Sequence, residues 1–398
     1  LKAGRAWVGP ASRVLWWHAM ACETKLTAAA LHLRSLHRAG VLQAAVTEAA
    51  VKQSLLAGVG TRDDERADVE LAAQHSVYQA LFEDPVSCVY PPPRAARLRM
   101  LKQILAVLDA GGLSEIDDEL YAACMEGIAR RSNTDGSAGT EDLQRCSTAG
   151  FEGYRSLELP GGCIALRVAG HMGGALETGS VLWSAGCFFL GLLAAGALDS
   201  QLRGHVLELG AGTGLAGLGV ARYAAAMSEQ VSRVTLTDGQ AAVVENLQHN
   251  LEASAALCPL SVPTEAMHLE WGSANLTLLP GGKVDTVIGN DLVYDPASMP
   301  ALAALLQQLL LPDPNAEAAA PAALLIYARR SEATEEAMLA ALTEESLCWQ
   351  TLEFPPAVWT DAERWLQLAH DFQAAEAGAE GRQLSEYLRV LRITVQTQ

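Results

Sequence analysis

The stretch from His205 to Gly217, HVLELGAGTGLAG, sets glycines at alternate positions between an apolar run and a series of helix formers. Glycines at a strand-to-helix turn let backbone N–H groups approach a ligand closely, which is how nucleotides are commonly held. Gly210, Gly212 and Gly214 give G-x-G-x-G, while Gly212, Gly214 and Gly217 keep the dinucleotide spacing G-x-G-x-x-G. Asp238 falls near the ~20-residue offset at which a carboxylate accepts ribose hydroxyls. These residues alone fit either a dinucleotide or another nucleoside.

Two further features bear on the choice. Glu208 stands two residues before the first glycine, where a carboxylate would repel a pyrophosphate but suits a ligand bearing an ammonium and a sulfonium. The segment IGNDLVYDP then puts Asp291 and Tyr294 at the end of another apolar run, at the sheet edge where ligands bind in open α/β folds. S-adenosylmethionine, an adenosine without phosphate, fits this combination better than NAD. None of the nine histidines stands in a metal-ligand spacing and the eight cysteines form no C-x-x-C pair, so no metal is assigned. Dispersed thiols also fit a reducing, cytoplasmic setting.

The elements that must hold these residues follow from periodicity. Short apolar strands are predicted at His205–Leu209, Arg233–Asp238, Ala266–Trp271, Val284–Asp291 and Ala322–Ala328. Helices are predicted at Leu215–Ala226, Gln240–Ala253 and Ala297–Leu311. Such alternation implies an α/β fold with a mostly parallel, doubly wound sheet. Near the end, CWQTLEF and EYLRVLRITV are predicted to close the sheet as an antiparallel hairpin, separated by a helix-like insertion from Val358 to Ala377. RSLELP and CIALRVA flank Pro-Gly-Gly and read as an earlier hairpin.

Residues 1–130 have helical periodicity instead, broken at Pro91–Pro93, with Ser114 or Asp117 as candidate caps of a later helix. The expected organisation is therefore a helical extension over 1–130, a polar linker over 131–150 and a catalytic domain over 151–398. The run Val181–Leu198 has 18 uncharged residues, yet its interior glycines and serine favour a helix buried against a sheet over one that spans a membrane. A formal charge of −18, from 46 acidic and 28 basic side chains, argues against general nucleic-acid binding and suits a partner with a basic surface.

VLELGAGTGLAG, the acidic end of VTLTDG, LEWGS and the D-x-x-Y of NDLVYD together resemble the seven-strand, class I protein-lysine methyltransferases. EDPVSCVYPPP, DDELYAA, the Pro-Gly-Gly hairpin and ETGSVLWSAGCFFLGLL are similar to the group that methylates a lysine of eukaryotic elongation factor 2, which carries a helical extension ahead of its catalytic domain. The resemblance covers roughly residues 75–345 and implies a Rossmann-like sheet with an antiparallel last strand, S-adenosylmethionine as donor and a protein as substrate. It also implies that Trp183 walls the methionine end of the cofactor and that Gly210, Ala211 and Gly212 lie beneath it. By the same match Asp238 takes the ribose and Trp271 stands beside the adenine. Asn290 replaces the family's usual alanine before D-x-x-Y, and Ser184 replaces an aspartate common after the tryptophan.

Methyl transfer requires an amine lone pair aimed at the sulfonium methyl. A lysine at pH 7 must give up a proton at a cost of about 4.6 kcal/mol, which desolvation and a nearby positive charge both reduce. Asp291 is expected to accept a hydrogen bond from the incoming nitrogen and Tyr294 to wall the channel; Arg329 and Arg330 after the strand could face the substrate, but such exposed arginines are usually just solvated. A monomer without membrane or nucleic-acid partners is expected. The competing expectations are a methyltransferase of a chaperone or another translation factor, an NAD-dependent oxidoreductase, and a non-catalytic adaptor.

Overall fold

The computed structural model describes residues 28–39, 44–55, 66–110, 113–129, 151–169, 177–224, 231–273, 275–312, 319–369 and 387–395. The 131–150 segment expected to be a linker, the Gly111–Gly112 helix end and the insertion beyond residue 369 lie outside them. The chain forms two compact units: Leu1–Glu158 with Ala165–Gly170 and Ala256–Pro259, and Leu159–Ile164 with His171–Ala255 and Leu260–Gln398.

In the first unit, helices α1 (Ala28–Ala39), α2 (Ala44–Leu55), α3 (Arg66–Phe82), α4 (Pro85–Val89), α5 (Arg94–Asp109) and α6 (Asp118–Ala129) precede strand β1 (Phe151–Leu159). The polyproline run does what its chemistry dictates: α4 stops at Val89 and α5 starts directly after Pro93. Of the two candidate caps it is Asp117 that caps α6, its Oδ1 accepting from Leu120 N at 2.8 Å. Leu33, Val51, Leu55, Val77, Met100, Ile104 and Leu120 are buried here. Charge is buried with them. Arg38 grips both oxygens of Asp84, which also caps α4 by accepting from Ser87 N at 2.9 Å. β1 pairs with β2 (Gly162–Ala169) in a two-stranded sheet of its own, turned at Pro160-Gly161.

The second unit is built on a seven-stranded sheet. Its strands are β3 (Gly204–Leu209), β4 (Val231–Asp238), β5 (Thr264–His268), β6 (Thr286–Asn290), β7 (Ala322–Ala328), β8 (Leu347–Thr351) and β9 (Leu388–Val395). They lie in the order β5-β4-β3-β6-β7-β9-β8. The first five are mutually parallel, and β9 runs antiparallel to both β7 and β8. The closing pair expected from CWQTLEF and EYLRVLRITV is present, with β9 inserted between β7 and β8. Between the strands run α7 (Ser184–Ala194), α8 (Leu215–Tyr223), α9 (Ala241–Leu257), α10 (Met299–Leu310), α11 (Glu332–Glu344) and α12 (Pro356–Leu366). Every residue of α7 from Ser184 to Leu193 is buried, which explains the long uncharged run. Among the described residues no helix is long and apolar enough to cross a membrane.

One predicted strand is shorter than its hydrophobic pattern. The reading carried it to Trp271, but β5 ends at His268 and Trp271–Ser273 form a 3₁₀ turn. The cause lies in the neighbour: β4 ends at Asp238, whose carbonyl accepts from Leu269 N at 2.9 Å, leaving no strand for Trp271 to pair with. The Trp271 ring packs instead against the core beneath the sheet edge.

Candidate functional site

Strand order fixes where a ligand can sit. From β3 the chain passes outward to β4 and β5, then returns to β6 on the other flank, so the carboxyl ends of β3 and β6 diverge at a topological switch point. The turn after β3 and the Asn290–Asp291 step after β6 flank this crevice.

The turn is bare because the backbone demands it. Gly210 and Gly212 have φ of 58° and 54°, in the left-handed region where a Cβ is costly. Ala211 N donates to Thr237 O at 2.8 Å and Gly212 N to Asp238 Oδ2 at 3.2 Å, so the tip of β4 holds the turn in place. The other Asp238 oxygen accepts from Gln240 N at 3.0 Å. Burial raises the Asp238 carboxyl above the ordinary aspartate value, against these hydrogen bonds. The Trp271 ring edge is 3.7 Å from where a side chain at Gly210 would begin, and Gly179 O is 3.1 Å from the equivalent point at Gly212. The 3₁₀ segment Glu177–Ser180 therefore closes over the turn, and Trp183 Nε1 donates to its Thr178 O at 2.8 Å.

Glu208 plays a different part from the one its position suggests. It is 2% exposed, and its carboxyl accepts from Gly217 N at 2.9 Å, at the start of α8. Desolvation pushes its pKa to about 8, the Asp238 charge adding to the effect while Gly217 and Asn290 oppose it. Burial thus favours the uncharged carboxyl, which weakens the repulsion of a pyrophosphate expected from its charge.

Across the crevice, Asn290 is the last residue of β6; its side-chain amide is buried and close enough to Glu208 to oppose that group's raised pKa, but no hydrogen bond of good geometry satisfies it. Asp291 then turns out of the strand at φ 57°, unusual for a residue other than glycine and tolerated best by Asn and Asp. That turn lets Asp291 N donate to Ile326 O at 2.8 Å and aims its carboxylate at the end of β7. There one oxygen accepts from Ala328 N at 3.1 Å and the other from Arg330 at 3.0 Å. The Arg330 guanidinium lies over the Trp183 ring, 5.1 Å from its centroid. Arg330 is thus not merely solvated as expected, while Arg329 pairs with Glu335 at 2.5 Å. Tyr294 is 59% exposed, and desolvation followed by the charges of Asp238 and Asp295 holds its phenol above the ordinary value.

The nine residues read from the sequence thus fall on the two lips of one crevice. Those it set aside or missed are Arg330, the Ala328 amide and the Thr178–Gly179 strap, which enter through contacts across 39, 37 and five residues of sequence. Of these, only the strap carried a local signal, in ETGSVLW.

An S-adenosyl ligand can be tested against this donor set. The lining offers backbone N–H groups on a bare turn, the Asp238 carboxylate, the Trp183 and Trp271 rings and the buried Asn290 amide. The turn Glu208–Gly217 contains no Lys or Arg to meet a phosphate. Among the described residues no cluster of His, Cys, Asp and Glu could hold a metal ion. A cationic nucleoside fits these residues.

Comparison with known proteins agrees. A family model described as lysine methyltransferase matches residues 165–345. The chain is 30% identical to the protein-lysine N-methyltransferase EFM3 of Chaetomium thermophilum over 60% of this chain and 70% of that one. It is 27% identical to the human protein-lysine N-methyltransferase EEF2KMT over 56% of this chain and 63% of the other. The zebrafish (Danio rerio) protein N-lysine methyltransferase METTL21A is 33% identical, over 34% of this chain and 56% of its own length. With the glycine turn, the Asp238 carboxylate and the Asp291 step gathered at one switch point, and with these relatives, the chain belongs to the lysine methyltransferase family.

Proposed function

We propose that this protein methylates a lysine of translation elongation factor 2. The coarser statement, an S-adenosylmethionine-dependent protein-lysine N-methyltransferase, follows from the family. The finer one is supported by the extent of the matches. EFM3 and EEF2KMT align over 60% and 56% of this chain, more than the length of the matched catalytic segment, whereas METTL21A aligns over 34%. We assign recognition of the target to the helical N-terminal unit, because EDPVSCVYPPP and DDELYAA within it resemble the group that methylates elongation factor 2.

The observation that carries the reading is the crevice itself: a backbone cradle on one lip and a carboxylate on the other. Gly210, Ala211, Gly212 and Asp238 would hold the nucleoside, with Trp271, Trp183 and the Asn290 amide completing the lining. When bound, the donor supplies an electrophilic methyl on sulfur. The work of the chain is then to exclude water, orient the lysine nitrogen and reduce its positive charge. Desolvation between Trp183 and Tyr294 disfavours the ammonium form, and Asp291 accepts a hydrogen bond from the nitrogen and fixes the direction of its lone pair. No dedicated base is required, because the attacking species is the amine that has already lost its proton to solvent.

The test is to incubate purified protein with methyl-labelled donor and unmethylated elongation factor 2, then locate the label by mass spectrometry. Label on one lysine of the factor supports the reading. Absence of label there, with labelling of another protein in lysate, transfers the assignment to that target.

A further inference from the structure

The Arg330 contacts, to the Asp291 carboxylate and over the Trp183 ring, are not needed to hold a nucleoside, and they place a cation where the substrate's own cation is expected. We propose that Arg330 is a resident stand-in for the target lysine, a guard whose guanidinium must leave Asp291 and Trp183 before a substrate nitrogen can take its place. The inference rests on the methyltransferase reading above and extends it to the selection of substrate.

A carboxylate on one side and an aromatic face on the other is the recognition set for an organic cation of any kind. Here the carboxylate is 6% exposed, with one oxygen committed to the Ala328 amide and the other to Arg330. The aromatic face is fixed, because the Trp183 indole N–H is tied to Thr178 O. The cation is more exposed than the carboxylate it faces. Arg330 is 34% exposed at its side chain and sits just past the end of β7, with its own N–H turned back to Ala328 O at 2.9 Å.

A lysine arriving while the guanidinium stays would bring a further positive group beside the sulfonium and Arg330, so entry and departure are coupled. A protein target can offer acceptors to the displaced guanidinium from the surface around its lysine. A small lysine compound cannot, and is excluded. Arg330 is in this sense a specificity-determining residue.

The wild type, Arg330→Ala, Arg330→Lys and the double variant Asp291→Asn/Arg330→Ala separate the possibilities. Each is assayed for transfer of labelled methyl to Nα-acetyl-lysine N-methylamide and, in parallel, for binding of S-adenosylhomocysteine by calorimetry. Arg330→Ala is expected to raise kcat/KM on the small amine by about fivefold or more, through a lower KM, as expected from loss of one partly exposed ion pair and cation–π contact. Arg330→Lys retains the exclusion, and adding Asp291→Asn removes the gain. Undiminished binding of S-adenosylhomocysteine with no gain in Arg330→Ala overturns the proposal. So does a fall in kcat at constant KM, which marks a purely structural role. Failure of the wild type itself to bind S-adenosylhomocysteine removes the underlying reading, and the guard with it.

Discussion

Replacing Glu208 by glutamine isolates one buried acid whose protonation the fold controls. The carboxyl lies in β3 at 2% exposure and ionises near pH 8 in the folded chain, against an ordinary value of 4.5, chiefly because burial penalises the charge. Below 4.5 both folded and unfolded chains hold the proton, and the group does not oppose folding. Between 4.5 and 8 the unfolded chain releases it while the folded chain keeps it, so stability falls as pH rises; above 8 the penalty is constant. Linkage makes this loss about 3 kcal/mol between pH 5.5 and pH 8 for this group alone. Glutamine can still accept from Gly217 N and does not titrate, so Glu208→Gln is spared the loss. Urea unfolding of both proteins, followed by tryptophan fluorescence at pH 5.5, 6.5, 7.5 and 8, measures the difference. The variant is expected to gain on the wild type by about 3 kcal/mol over that range, and parallel curves would refute the argument.

Three further perturbations probe other links. Asp291→Ala frees Arg330 and the Ala328 amide and is expected to lower kcat/KM on the protein substrate by about 100-fold; wild-type turnover would remove Asp291 from the mechanism. Gly212→Ala adds a Cβ 3.1 Å from Gly179 O at φ 54°. It should cost about 1–2 kcal/mol of stability, read by urea unfolding, and weaken S-adenosylhomocysteine binding about tenfold by calorimetry. Arg38→Ala leaves the fully buried Asp84 carboxylate without its partner and should destabilise the helical unit by about 3–5 kcal/mol. Although desolvation opposes it, the Arg38 pair and Ser87 hold Asp84 below the ordinary aspartate value. The wild type should therefore lose this contribution as pH falls through the depressed value, a loss that acid titration of Arg38→Ala would lack.

What the sequence disclosed follows the range of the interactions involved. β7 is legible to the residue, because a buried strand such as AALLIYA reads as an unbroken apolar run, and β3, β4 and β6 are legible to within two. The glycine turn is equally legible, since its conformation restricts residue type locally. Trp271 was assigned to a strand because an aromatic after an apolar run satisfies strand periodicity, and only the end of β4 stops that strand at His268. The neutral state of Glu208 was invisible for a related reason: charge at a position depends on desolvation by residues distant in the chain. Arg330 reads as any arginine after a strand until folding brings it to Asp291, 39 residues away, and to Trp183.

The identity of the molecule held between the Gly210–Gly212 turn and Asp291 decides the chemistry of the crevice. Calorimetric titration of the purified protein with S-adenosylhomocysteine and, separately, with NAD is the direct measurement. One-to-one binding of S-adenosylhomocysteine, weakened by Asp238→Ala, with no heat from NAD, is the predicted result. Tight binding of NAD with none of the adenosyl compound would contradict it.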